Sequence, residues 1–400
     1  MMKICMVCPR LCHGGAERVA VSLANGFAEK EHHVSFLSDL FEEKTYDLSP
    51  SVVLMNLVSR PHPKTIKWLS AIFILRKWLK KERPDAIIGI MSLCSVIARL
   101  ASIGLKIPVI AAEHDSYERP ESAPMSLWGK IYKFHLCKVF KCVTVLAEAD
   151  KEVVGHRMNN VVVMPNPLAI SPVRTTPPKK HVILSAGRVD NWHYKGFDVL
   201  IKAWGKVVES REPRVESEEW RLQIAGVWRN PETRVFLDGI AEECGVLDKI
   251  DYLGFKEDMT PVYADASIFV LSSRFEGFGL VLIEAMSQGC ACIACDYKGR
   301  QREIMETLPG PPCLGRVSEV QNTKRDPSFE TCETGILCPP EDVEALAAAM
   351  AKMIEDDEYR ESVREKAIER SKYYSIENTV ARWEELLNSI TFKNYKQGES

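Results

Sequence analysis

The sequence predicts an α/β protein built from two doubly wound, parallel-sheet domains in tandem. Three observations carry that expectation. The chain has 400 residues, more than one ordinary hydrophobic core serves. Short apolar, β-branched runs alternate with helical patterns along both halves. A proline-rich stretch, Pro165–Lys180, with Pro165, Pro167, Pro172, Pro177 and Pro178, interrupts the alternation once and reads as a linker.

In the first half Lys3–Cys8 is expected to be a strand and Gly15–Lys30 a helix. Val34–Leu37 and Val52–Leu57 are strands, Lys64–Arg83 a long helix and Ala86–Ile90 a strand. Ser92–Ile103 is a helix, Val109–Ala112 a strand and Met125–Val139 a helix. Cys142–Leu146 and Val161–Met164 complete the first sheet. After the linker, Val182–Ala186, Arg221–Ala225, Ile250–Leu253, Ser267–Leu271 and Ala291–Ala294 are strands. They alternate with helices over Gly196–Val208, Glu232–Cys244, Thr260–Ala264 and Leu280–Gln288. Three helices end the chain: Val343–Ile354, Glu358–Lys372 and Ile376–Asn388. The domains are placed at 1–168 and 180–375, with the last helix, about 376–392, packing back on the first. In such sheets ligands bind at the carboxyl ends of the strands, beside helix N-termini, so the default active site is a cleft where the two domains face each other.

Composition is that of a soluble globular chain, 46% hydrophobic and 27% charged. The formal charge of −3 neither favours nor excludes an anionic partner, and no nucleic-acid partner is expected. The 13 cysteines are odd in number and sit mostly in apolar runs, and Met1–Arg10 lacks the pattern of a signal peptide. Reduced thiols and a cytoplasmic location follow as expectations. No run reaches the roughly 18 apolar residues of a membrane span. Cys5, Cys8, Cys12 and His13 have a spacing that invites a metal reading. Cys5 and Cys8, three apart in a strand, point to opposite faces and are expected to be core. Cys290, Cys292 and Cys295 are read as core packing too.

The strongest chemical signal is Glu276-Gly277-Phe278-Gly279-Leu280-Val281-Leu282-Ile283-Glu284, a glycine-punctuated turn after a strand that opens a helix near Gly279. A helix start offers unpaired N–H groups and a positive dipole end, both suited to a diphosphate. Glu276 is placed to reach a sugar, and Glu284, one turn into the helix, to accept from ribose hydroxyls. Gly187-Arg188 follows a strand, and Lys195-Gly196-Phe197-Asp198 opens the next helix. Arg188 offers a planar fork and Lys195 a point charge. His13-Gly14-Gly15-Ala16-Glu17-Arg18 opens the first helix, and Glu113-His114-Asp115 follows a strand at its carboxyl end.

The Glu276–Glu284 phrase, two acids separated by seven residues, resembles the signature of the GT4 retaining glycosyltransferases. Pro165-Asn166-Pro167-Leu168 and Gly335-Ile336-Leu337-Cys338-Pro339-Pro340 resemble two further phrases of that family, and the resemblance covers nearly the whole chain. It implies the GT-B architecture, two Rossmann-like domains across a cleft, and transfer of a sugar from a nucleotide diphosphate donor, a UDP-sugar above all, with retention of configuration. It implies catalytic roles for His114, Arg188, Lys195 and Glu276. Donor binding falls to Gly14, Gly15, Gly187, Phe278, Gly279, Leu280 and Glu284. No metal or other cofactor is expected. Transfer builds negative charge on the departing phosphate, which Arg188, Lys195 and the helix start at Gly279–Leu280 would meet. Two departures from the family pattern stand out. The segment Val189–Tyr194 is about two residues longer than common, and an insertion runs over about 306–333.

The helix Lys64–Arg83 carries seven basic residues and one acid, Glu82. Trp68, Ile72, Leu75 and Leu79 form the stripe expected to face the sheet, while Ile74 and Trp78 lie near Lys77 and Lys81. Lysines mixed with exposed apolar groups suit an anionic membrane surface or a lipid pyrophosphate. A glycan or lipid-linked acceptor, in bacterial polysaccharide, lipopolysaccharide or lipid-linked oligosaccharide assembly, is expected on this basis, with peripheral attachment to the inner face of the cell membrane. The competing readings are a sugar-nucleotide epimerase of the same fold and a non-catalytic nucleotide-sugar-binding partner subunit.

Overall fold

The computed structural model describes all residues except 13, 42–45, 59–63, 122–123, 156, 175–177, 211–218, 307–327 and 397–400, and only the backbone of 64–66 and 392–396. The chain divides into two compact units, Met1–Ala169 with Tyr374–Ser400, and Ile170–Tyr373.

In the first unit the order is β1 (Lys3–Val7), α1 (Gly15–Glu29), β2 (His33–Ser38), β3 (Val53–Asn56), α2 (Lys64–Glu82) and β4 (Ala86–Ile90). Then follow α3 (Met91–Ala101), β5 (Val109–Ala112), α4 (Leu127–Phe134), β6 (Cys142–Val145), α5 (Glu148–Gly155) and β7 (Val161–Val163). The sheet is wholly parallel, in the order β3-β2-β1-β4-β5-β6-β7. Successive side chains alternate between its faces. Cys5, Val7, Leu37, Ile87, Val109, Ala111, Val143 and Val145 share a core with Ala71, Leu75 and Leu79 of α2 and Cys94, Ile97 and Ala98 of α3.

The second unit begins with β8 (Lys180–Ala186), α6 (Trp192–Lys195), α7 (Phe197–Glu209), β9 (Arg221–Ala225), α8 (Pro231–Glu243), β10 (Ile250–Gly254) and α9 (Thr260–Asp265). It continues with β11 (Ala266–Leu271), α10 (Leu280–Ser287), β12 (Ala291–Cys295), α11 (Arg300–Met305), β13 (Glu330–Cys332), β14 (Gly335–Cys338), α12 (Val343–Glu355) and α13 (Asp357–Ser371). Its sheet runs β10-β9-β8-β11-β12-β14-β13, parallel except for the edge strand β13. Trp204, Phe197, Leu222, Ile268 and Met350 lie in one buried core. Helix starts carry the side-chain caps their sequences offer: Asn230 accepts from Glu232 N ahead of Pro231, Asp342 from Ala345 N and Asp356 from Tyr359 N. The chain then returns to the first unit as α14 (Ile376–Lys396), which lies on α1. Val380, Trp383 and Leu387 are buried there, and a Cβ at Gly26 would stand 2.7 Å from Val380 Cγ2.

The helix expected over Met125–Val139 is broken. His135 leaves helical geometry at φ −125°, ψ −51°, and Leu136–Val139 continues as a 3-10 turn. On α2 the expected inward stripe faces the core: Leu75 and Leu79 lie in it, and Trp68 and Ile72 pack partly against it. Ala71, Leu75 and Leu79 are buried, and Trp78 packs partly on the same core. Among the described side chains of α2, the large apolar ones left exposed are Leu69 and Phe73. Most of the insertion over about 306–333 lies outside the described residues; its end forms β13.

Candidate active site

Each sheet reverses strand order beside its first strand: between β1 and β4 in the first unit, between β8 and β11 in the second. The crevice outside the carboxyl ends of such a strand pair is where doubly wound sheets bind ligands. The residues singled out by sequence follow these strands. Gly14 and Gly15 follow β1, His114 follows the next strand, β5, Gly187–Lys195 follow β8, and Glu276–Gly279 follow β11.

In the second unit Gly187 follows β8, and its N–H donates to Ala225 O. The following Arg188 is exposed, and among the described residues its guanidinium has no partner. Val189–Asn191 forms a 3-10 turn and Trp192–Lys195 a single helical turn, so the lengthened segment is local structure rather than a loose loop. Gly196 ends it at φ +65°, with Ser272 O 2.0 Å from where a Cβ would sit. Only glycine satisfies both conditions. The aliphatic stem of Lys195 crosses Gly187, Cδ and Cε standing 3.2 Å from a built Cβ. Its ammonium donates to Glu276 Oε1 at 2.5 Å. Ser273 Oγ donates to the same oxygen at 2.8 Å. Glu276 Oε2 has no partner among the described residues.

Two residues on, Phe278 is buried, and Gly279 caps α10 at φ +101° with no side-chain cap. Leu282 N donates to Gly279 O, while the amides of Leu280 and Val281 stand at a helix start where no intrahelical acceptor exists. Glu284 is 2% exposed, one turn further in, and accepts the Tyr263 hydroxyl at 3.0 Å. Its depth places it beneath the helix start rather than on the surface.

In the first unit Gly14 is the N-cap of α1. A Cβ there would lie 1.8 Å from Glu17 Oε2. Glu17 itself is buried in the first turn and pairs with Arg10 at 3.4 Å. His13 lies outside the described residues. After β5, Glu113 is buried and accepts the Tyr132 hydroxyl at 2.8 Å. Burial raises its pKa, opposed by Lys133 and the Tyr132 bond. The Lys133 ammonium donates to Asp115 O at 2.7 Å and Ser116 O at 2.8 Å. Asp150 takes Ser116 Oγ and Tyr117 N. The segment bearing His114 is thus held from α4 and α5. The imidazole Nδ1 lies 3.0 Å from Asn166 Oδ1, Nε2 is buried without a partner, and burial lowers the pKa to about 4.

Comparison with known proteins now bears on these sites. Residues 13–171 match the family described as Glycosyltransferase Family 4, and residues 180–356 match Glycosyl transferases group 1. The chain is a family 4 glycosyltransferase. An uncharacterized glycosyltransferase of Haemophilus influenzae is 26% identical over 94% of this chain and 96% of its own. An α-1,4-N-acetyl-D-galactosaminyltransferase of Campylobacter jejuni, named for a diNAcBac-PP-undecaprenol-linked acceptor, is 25% identical over 98% of this chain and 99% of its own. Among solved structures, Anabaena HepE in complex with UDP and glucose superposes with a TM-score of 0.72 at 16% identity, covering 97% of this chain and 100% of that one. The fold is therefore GT-B, two Rossmann-like units, as the motifs implied. These relatives favour a transferase over the epimerase and binding-partner readings.

Sequence reasoning missed two residues of the glycosyltransferase at the strand ends beside the switch points. Arg274, in the loop after β11, grips Asp198 with two bonds of 2.7 Å, donates to Glu341 at 2.6 Å and to His193 O at 2.6 Å. It thereby holds the turn bearing Lys195 against the loop bearing Glu276, and its carboxylate partners push its pKa up. Its only sequence signal is an arginine just ahead of the Glu276 phrase. Met91 is the other. It follows β4 directly at φ +64°, a left-handed conformation costly for a side chain, at the switch point of the first sheet. Nothing in the local sequence marks it.

Proposed function

We propose that this glycosyltransferase moves a sugar, with retention, from a UDP-sugar to a glycan acceptor carried on a lipid, in bacterial polysaccharide or lipid-linked oligosaccharide assembly. The observation that carries the donor reading is the grouping in the second unit. Arg188 is exposed and unpaired among the described residues, Lys195 is held on Glu276, and α10 opens with uncapped amides. A leaving diphosphate needs this combination of fixed positive charge and N–H donors. Glu276 Oε2 is left for a sugar hydroxyl. Lys195 and Arg188 meet the leaving-group charge in place of a metal. The UDP and glucose of the Anabaena structure and the undecaprenol-linked acceptor named for the Campylobacter relative support the choice of donor and acceptor class.

The acceptor side adds a membrane-facing surface on the first unit. Helices α2, α3 and α4 and the turn Leu136–Val139 contain one acid, Glu82, and it pairs with Lys81. Arg76 donates to Ala101 O and Ile103 O, and Arg99 to Val139 O, so α2, α3 and the turn lie side by side. Exposed on them are Leu69, Phe73, Leu100, Ile103 and Val139, with Lys77 and Lys81 following Leu69 and Phe73 at four-residue spacing. Apolar side chains rimmed by lysines suit an anionic bilayer. No described helix is long and apolar enough to cross one.

A thermal-shift panel of nucleotide sugars tests the donor. A ligand at about 100 times its Kd adds about 2.7 kcal/mol to the folded state. Arg188→Ala should lose about 10²–10³-fold in turnover with its unliganded Tm unchanged. Full turnover in that variant would falsify the assignment.

A further inference from the structure

The Pro165-Asn166-Pro167 phrase entered as a family mark, and the structure gives its middle residue a job. Asn166 is buried, 5% exposed, and its carboxamide oxygen lies 3.0 Å from His114 Nδ1, 52 residues away in sequence. A carboxamide oxygen only accepts, so the proton of the bond sits on Nδ1. The other ring nitrogen, Nε2, is buried and has no protein partner in the described structure. A buried nitrogen with a lone pair and nothing to accept from is an unsatisfied group that a ligand hydroxyl would satisfy.

The flanking residues explain why the carboxamide stays put. Proline on either side fixes two φ angles, and a residue ahead of proline is confined to extended backbone, which applies to Met164 and Asn166. Leu168 N donates to Tyr374 O at 2.6 Å and anchors the far end. On the other side, the His114 segment is pinned by Lys133 and Asp150. The charged side chains that flank His114 or hold its segment include Glu113 and Asp115 on that segment, Lys133 on α4 and Asp150 on α5. None of them bonds to the ring: Glu113 is bonded to Tyr132, Asp115 to Arg119, Lys133 to two carbonyls and Asp150 to Ser116. The ring therefore has one orienting partner, and it is neutral.

We propose that Asn166 is the positioning residue that keeps the His114 proton on Nδ1 and presents Nε2 as a hydrogen-bond acceptor to a hydroxyl of the transferred sugar. The inference rests on the proposed sugar transfer and adds to it the tautomer and the residue that selects it. An aspartate in place of Asn166 would keep the proton on Nδ1 but favour a charged ring, which has no lone pair left at Nε2.

The test uses full-length protein labelled with ¹⁵N-histidine, the His114 signals being assigned by their loss in His114→Gln. The expected wild-type spectrum shows a protonated Nδ1 and a bare Nε2. Asn166→Leu should give mixed tautomers and lower kcat by about tenfold to a hundredfold, the range for losing a residue that orients a ligand-contacting histidine. UDP affinity should stay unchanged. Asn166→Asp should raise the His114 titration by about one to three pH units and move the acid limb of kcat with it. A wild-type proton on Nε2 overturns the proposal, as does Asn166→Leu with unaltered tautomer and turnover. Where Asn166→Leu does not fold, an unshifted titration in Asn166→Asp overturns it. The spectra need no donor, so the expected tautomer in a protein that transfers no sugar would count against the proposed function and leave the Asn166 assignment standing.

Discussion

His114 and Glu113 are chain neighbours that burial pushes in opposite senses. The His114 pKa falls from 6.5 to about 4, so the unfolded chain binds the extra proton first. Its contribution is complete above pH 6.5 and is lost as pH falls toward 4, at about 1.4 kcal/mol per pH unit within that window. The Glu113 pKa is raised, so this carboxyl contributes the other way, adding stability as pH falls through its folded value toward the ordinary 4.5. Denaturant titrations of wild type and His114→Gln across pH 4–7 should therefore diverge, the variant losing less on acidification. Parallel curves would mean that the imidazole is as hydrated as in the unfolded chain. The pairing of His114 with Asn166 was out of reach for local reasoning, because a strand-end histidine and a linker asparagine share no pattern. Each phrase was visible; their contact was not.

At the scale of elements, the loops after β8 and β11 behave as one piece because Arg274 ties them through Asp198, Glu341 and His193 O. Arg274→Met removes a paired, charge-assisted set and should cost about 2–3 kcal/mol in the second unit. Turnover should also fall, since Lys195 and Glu276 sit on the two loops that it joins. An unaltered Tm in Arg274→Met would show that the ion pairs contribute little there. On α2, binding to anionic liposomes should depend on the ridge Leu69, Phe73, Lys77 and Lys81. Sedimentation with anionic vesicles should weaken several-fold in Lys77→Glu/Lys81→Glu and likewise in Leu69→Ser/Phe73→Ser; equal binding by wild type and both variants would remove the membrane reading. Periodicity found α2 and missed which apolar residues face outward. The stripe Trp68, Ile72, Leu75 and Leu79 does face the core, but in a 19-residue helix with apolar groups on several sides spacing does not tell which of the rest a neighbour covers. The short α5 and α6 escaped because eight and four residues are too few for a period to show. The break at His135 escaped because no glycine or proline marks it.

At the scale of the molecule, two sheets that share the order of their first five strands each bring loops to a switch point. The chemistry proposed for them needs no metal, so turnover with the donor chosen by the thermal-shift panel should survive EDTA, and the product should keep the donor's anomeric configuration by NMR. Loss of activity restored by a divalent cation would overturn the side-chain account of the leaving group.

The order of strands and helices, the glycine turns at Gly14, Gly187 and Gly279 and the acid pair Glu276 and Glu284 were set by the sequence alone. Buried parallel strands must be apolar runs, and the left-handed turn at Gly279 favours glycine. Tertiary structure alone decided that Lys195 meets Glu276 across 81 residues, that Arg274 clamps Asp198 across 76, and that Asn166 faces His114. Such contacts depend on where the sheet delivers each strand end, a long-range geometry that no local spacing records.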